Sequence, residues 1–130
     1  MKRKLFFLLS FLFFSLTFFA QSEIKITTKK CNPKAGYGFQ LTKVFDDSRC
    51  PEGVTCIWAG EVSVVLKVYK NKKFFELKTL TFNAKNKEEN FNWFAKYFSK
   101  KIKSIAVNPY PKEGQIIKFK NQYISIVFEN

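Results

Sequence analysis

The chain has 130 residues, 23 Lys and Arg against 10 Asp and Glu for a formal net charge of +13, and 17 Phe but no His. Without histidine the commonest general base and the commonest metal ligand are missing, which excludes the usual Ser-His and Cys-His triads and His-containing zinc sites. The length suffices for one domain with a modest core and not for two.

Met1-Lys2-Arg3-Lys4 precedes an almost wholly apolar run over residues 5–19, broken only by Ser10, Ser15 and Thr17. This charged n-region and apolar h-region read as a secretory signal peptide over residues 1–20, and the chain is expected to be exported to the periplasm or the extracellular space. Cleavage after Ala20 and cleavage after Ser22 both fit, the second giving the small-x-small triplet Ala20-Gln21-Ser22. The run is at or below the length of a spanning helix, so no stable membrane span is expected after cleavage. Cys31 lies well downstream of it, which argues against a lipid-anchored mature terminus. Residues 21–130 then form a single domain. Lys2, Arg3 and Lys4 leave with the leader, so 20 of the 23 basic residues face the 10 acidic ones, a net of +10. A nucleotide-biased genome would produce this lysine-rich, Phe-, Ile- and Asn-rich composition without selection; the functional reading is attraction to an anionic surface.

Period-2 alternation of apolar and polar residues predicts strands along most of the remainder. Ile24 and Ile26 mark a first strand over residues 23–28, followed by a turn with Asn32-Pro33 and Gly36. Tyr37, Phe39, Leu41 and Phe45 share one face of a second. Cys56, Trp58, Val62, Val64, Leu66 and Val68 share one face of a third, with a bend or bulge at Ala59-Gly60. Lys70-Asn71-Lys72-Lys73 reads as a hairpin tip, and residues 74–82 return as a fourth strand. Residues 83–90 are polar and read as a solvated loop. Phe91, Phe94 and Phe98, with Trp93 and Tyr97, predict a short helix or a packed aromatic loop. Residues 101–107 form a strand stopped by Asn108-Pro109-Tyr110-Pro111, and residues 115–119 and 122–128 complete the set. About seven strands with at most one short helix predict an all-β fold, an antiparallel β-sandwich of Ig-like architecture.

The most informative window is residues 46–61. Pro51 and Gly53 favour a tight reversal between Cys50 and Cys56. An exported chain allows cysteines to oxidise, and of the three pairings open to Cys31, Cys50 and Cys56 the short loop favours Cys50 with Cys56. Closing so small a loop contributes ~2 kcal/mol in the chain-entropy picture. Cys31 is left as a free thiol and is expected first as a buried small hydrophobe, then as an intermolecular partner or a reactive group. Arg49, the one arginine beyond the leader, is expected to anchor the loop by bridging to Asp47 or Glu61. Trp58 is expected in the core against the disulfide, with exposure making it a binding platform instead.

The pattern Asp47-Ser48-Arg49-Cys50-Pro51, four residues, Cys56, one residue and Trp58-Ala59-Gly60 resembles a signature of small secreted bacterial proteins and lipoproteins of uncharacterised function. The ending Val107-Asn108-Pro109-Tyr110-Pro111 before a last strand is similar as well. Extended over residues 24–128, the resemblance implies a small β-sandwich with the window's two cysteines paired, and it implies no known activity.

Three functions follow as expectations. The first is a non-enzymatic binding or scaffolding domain at the cell envelope. Its partner is an anionic envelope component or a protein and not nucleic acid, with Trp58, Lys70, Lys72, Lys73, Lys100, Lys101 and Lys103 as candidate binding residues. The second is a small extracellular inhibitor that inserts the loop between Cys50 and Cys56 into another protein. The third is a hydrolase built on Asp46, Asp47, Glu52 and Glu61, which requires two carboxyls facing each other across a cleft. No catalytic residue, cofactor or metal is assigned: Asp46-Asp47-Ser48 lacks the spaced ligands and glycine of a calcium loop. A protruding exposed loop favours the inhibitor, facing carboxylates in a pocket the enzyme, and a flat basic or aromatic sheet face the binder.

Overall fold

Alternating apolar residues give each predicted strand one face to bury, and two such sheets bury those faces against each other. A computed structural model describes residues 21–31 and 36–130; the signal-peptide reading of residues 1–20, and Asn32 and Pro33 of the expected turn, lie outside them. Six strands form, β1 (Glu23–Thr27), β2 (Tyr37–Phe45), β3 (Val62–Lys70), β4 (Lys73–Phe82), β5 (Ile102–Asn108) and β6 (Tyr123–Phe128), with helix α1 (Lys87–Ala95) between β4 and β5. They make two three-stranded antiparallel sheets, ordered β1-β6-β5 and β2-β3-β4, the expected all-β sandwich.

The strand count among the described residues is six, not seven. Of the expected strand over residues 115–119, residues 115–118 are irregular and Phe119 opens a 3-10 turn, Phe119–Asn121. β6 is the central strand of its sheet with β1 and β5 on its two sides, so the segment before it has no free edge of β6 to pair with.

The core is built on the inward row of β3. Val62, Val64, Leu66 and Val68 are almost completely buried and, with Leu41 of the neighbouring β2, form one core cluster with Ile124, Ile126 and Phe128 of β6 and Val107 of β5. In β2 a bulge between Leu41 and Lys43 shifts the alternation, so that Val44 pairs with the inward Val64 and Phe45 with Ser63. The face expected for Tyr37, Phe39, Leu41 and Phe45 therefore buries only Phe39 and Leu41, and Val44 takes the next place against the core. The β3–β4 hairpin closes through Asn71 and Lys72 at φ 49° and 70°, the left-handed pair that a two-residue turn of this hand requires. Asn71 also holds the chain entering β2: Gly36 N donates to Asn71 Oδ1 and Asn71 N donates to Gly36 O, both at 3.0 Å.

The helix begins at Lys87, inside the segment expected to be a loop. Asn83 Oδ1 accepts from Asn86 N at 2.8 Å as the helix starts, and the buried Asn90 donates to the Thr81 carbonyl at 2.9 Å, fixing the helix to β4. Trp93 and Phe94 are buried, and Phe39 is surrounded by Trp93, Phe94, Tyr97 and Phe98 at centroid distances of 5.3 to 6.5 Å. Phe98 in turn meets Phe128 at 5.3 Å, so the aromatic cluster ties one sheet to the other. Glu76 lies under this cluster. Its Oε1 accepts from Trp93 Nε1 at 2.9 Å and from Tyr97 OH at 2.6 Å.

Truncating Glu76 to Ala leaves a buried indole N–H and a phenol without an acceptor, which predicts a loss of about 2–3 kcal/mol in urea unfolding. Glu76→Gln keeps an oxygen in place and is expected to recover more than half of that; equal losses for the two variants would show that the acceptor is not what matters.

Candidate functional site

The loop of residues 46–61 joins β2 to β3 and is ordered by four separate restraints. The first is the disulfide between Cys50 and Cys56, with the Cα atoms 5.8 Å apart. Within it Pro51 to Val54 makes a turn, Val54 N donating to Pro51 O at 3.2 Å, with Gly53 at φ 88° in the position where such a turn needs the left-handed region. The second is a ladder-like stem: Ser48 N donates to Glu61 O at 2.8 Å and Cys50 N to Ala59 O at 3.1 Å. The stem is so narrow that a Cβ on Gly60, at φ 72°, would collide with the Ser48 carbonyl and lie 2.9 Å from Arg49 Cα. Only glycine fits there; the bend expected at Ala59-Gly60 falls instead at Ile57 and Trp58.

The third restraint is Arg49, whose side chain is only 10% exposed. Its Nε and Nη2 donate to the two carboxylate oxygens of Asp47 at 2.8 and 2.7 Å, a bidentate fork. Nη1 donates to the Val107 carbonyl at the end of β5, and Nη2 reaches the Pro109 carbonyl at 3.5 Å. The guanidinium also lies 5.2 Å from the Tyr110 ring centroid. The hydrogen bonds and charge of Arg49 hold the Asp47 carboxyl below its ordinary range. The fourth is a parallel contact with the chain after β5, Glu52 N donating to Pro111 O at 2.9 Å and Glu113 N to Glu52 O at 3.4 Å.

These restraints fix the base and leave the tip in solvent. Ile57 is fully exposed, Trp58 is 65% exposed and Val54 is also open. The core position expected for Trp58 is therefore corrected: β3 begins only at Val62, and adjacent Ile57 and Trp58 follow no strand alternation. Of the two carboxylates expected to meet Arg49, Asp47 does so and Glu61 does not. Its side chain meets Asn83 Nδ2 at 2.9 Å rather than Arg49, and its anchoring contribution comes from its backbone N–H and carbonyl on Ser48. Cys31 is a free thiol but an exposed one, not the buried hydrophobe expected.

The candidate lysines separate into two groups. Lys70, Lys72 and Lys73 surround the β3–β4 hairpin. Lys100 and Lys101 precede β5, where Lys101 pairs with Glu129 at 2.9 Å. Lys103 on β5 borders, with Lys87, a cleft of about 340 Å3 lined by Phe82 and Phe91. The carboxylates of the window point to different partners, Asp47 to Arg49, Glu61 to Asn83 and Glu52 toward Lys112 at 3.6 Å. Among the described residues no group of three or more metal-ligating side chains gathers, and no helix is long and apolar enough to cross a membrane. No protein-family model, curated protein or solved structure matches the chain.

An ammonium cannot reproduce the planar fork of a guanidinium, so Arg49→Lys is expected to destabilise the protein by about 2 kcal/mol, measured by thermal unfolding of the oxidised protein; unchanged melting would refute the anchoring role. Because the folded-state Asp47 is more acidic than its ordinary 3.8, its contribution is present above that value and is lost as pH falls through the lower folded-state value. Stability measured from pH 5 downward should therefore fall less steeply in Asp47→Asn than in the wild type.

Proposed function

We propose that the protein is an exported, non-enzymatic binding domain that engages a partner protein by inserting the loop closed by Cys50 and Cys56, in the manner of a small extracellular inhibitor. The observation that carries this reading is the contrast between base and tip: Arg49 and the stem immobilise the base, while Ile57 and Trp58 stand in water. Ordering a loop before it meets its partner removes part of the entropy cost of binding. Tryptophan is among the residues that most often dominate an interface when seated in a pocket. In water the two side chains gain nothing from their position; buried in a concave site each would contribute about 1.5–3 kcal/mol. The leader-like sequence supports export, and the disulfide fits an oxidising compartment.

The hydrolase reading has no comparable support, since three of the four carboxylates it would use, Asp47, Glu52 and Glu61, are each engaged with a different partner. A photoreactive benzoylphenylalanine in place of Ile57, activated in cells producing the exported protein, is expected to give one discrete protein adduct. The adduct should fall roughly tenfold or more in Trp58→Ala, in line with a central aromatic anchor, with the melting temperature unchanged. The same reagent at Lys29 should give none; adducts of equal pattern at both positions would reject the proposal.

A further inference from the structure

The opposite end of β3 carries a different chemistry. The strand's nine residues place the β3–β4 hairpin about 27 Å from the disulfide loop at the rise of an antiparallel strand. At this tip Lys70, Lys72 and Lys73 are exposed, and so are Phe74 at 61%, Leu77 at 57% and their neighbour Phe75. By register Phe74 stands opposite Tyr69 and Leu77 opposite Lys67, on the same side of the sheet. Tyr37 meets Phe75 edge-on at 5.6 Å, and Lys70 Nζ lies 5.6 and 5.9 Å from those two rings. The chain between β1 and β2 adds Lys30, whose Nζ is 4.7 Å from the Tyr69 ring.

The positive charge here is uncompensated. Glu76, the sole acidic residue between positions 70 and 78, is taken up by Trp93 and Tyr97. Among the described residues no carboxylate forms an ion pair with Lys30, Lys70, Lys72 or Lys73. Exposed aromatic and aliphatic side chains interleaved with unpaired lysines match the boundary of an anionic bilayer, where phosphates meet the ammonium groups and the acyl margin receives the rings. A polyanionic glycan would satisfy the lysines and leave Phe74 and Leu77 in water.

We infer that the β3–β4 hairpin docks on an anionic phospholipid surface, with Lys70, Lys72 and Lys73 against the headgroups and Phe74, Phe75 and Leu77 at the acyl boundary. The disulfide loop is then held away from that surface. The inference uses none of the residues of the proposed loop function, so the two stand or fall separately.

The test is co-sedimentation of the chain from Gln21 onward, which contains the whole described core, with vesicles of phosphatidylglycerol and phosphatidylcholine in equal parts and of phosphatidylcholine alone. Binding is expected to the anionic vesicles only and to weaken as salt is raised from 0.1 to 0.5 M. Lys72→Glu with Lys73→Glu should weaken it roughly tenfold or more. Phe74→Ser with Leu77→Ser should do likewise, while Trp58→Ala leaves it unchanged, with melting temperatures confirming that each variant is folded. Equal binding to neutral vesicles, binding that survives both double variants, or binding to soluble heparin without binding to vesicles would each overturn the inference, as would no binding at all.

Discussion

The guanidinium of Arg49 is the joint on which the placement of the disulfide loop depends. A disulfide between positions 50 and 56 closes a small ring but carries no information about how that ring sits on the domain. Arg49 supplies it. The fork to Asp47 holds the side chain in one orientation, and the remaining N–H groups reach carbonyls of Val107 and Pro109. Val107 belongs to the sheet β1-β6-β5, whereas the loop connects two strands of the other sheet. One side chain therefore couples the loop to both layers, and the stem and the contact of Glu52 with Pro111 keep it from pivoting about that point.

The rest of the sandwich is arranged to keep these two layers in contact. The inward row of β3 meets β6 at its centre, and on one flank the aromatic residues of α1 and the chain after it bridge Phe39 of β2 to Phe128 of β6. The helix is attached through polar groups as well as through rings: Asn90 reaches a β4 carbonyl, and Glu76 accepts from both an indole and a phenol. Burial and that hydrogen bond hold the Tyr97 phenol protonated well above its ordinary range. A short helix thus covers ground that another strand would cover in a larger sandwich.

What could be read from the sequence was what local spacing records. The alternation Val62, Val64, Leu66 and Val68 identifies a half-buried strand without help from the fold, and Asn71 between lysines identifies the hairpin. Cys50 and Cys56 are close enough in the chain for their pairing to be argued directly. The errors concern long-range partners. Arg49 next to Asp47 is visible, but the carbonyls of Val107 and Pro109 carry no mark in a sequence, because every residue has one. Glu61 is one of two carboxylates that Arg49 can reach along the chain, whereas the fold gives Arg49 to Asp47 and brings Asn83 to Glu61 from the far end of β4. Extending the β3 alternation backwards through Gly60 puts Trp58 inside. Ile57 beside it was the available warning, since neighbours on a strand cannot both face the core. The β2 bulge and the helix start at Lys87 are likewise settled by packing against β3 and β4 and not by their own residues.

The left-handed turn at the tip of the β3–β4 hairpin has a consequence for any attempt to harden this protein. Lys72 sits at φ 70°, where a side chain is disfavoured by about 1 kcal/mol relative to a residue without one. Relaxing that turn in the obvious way would strip a cation from the outermost point of the domain. Thermal robustness and surface electropositivity thus pull against each other at this position, and a form optimised for heat resistance alone would drift toward a less positively charged tip.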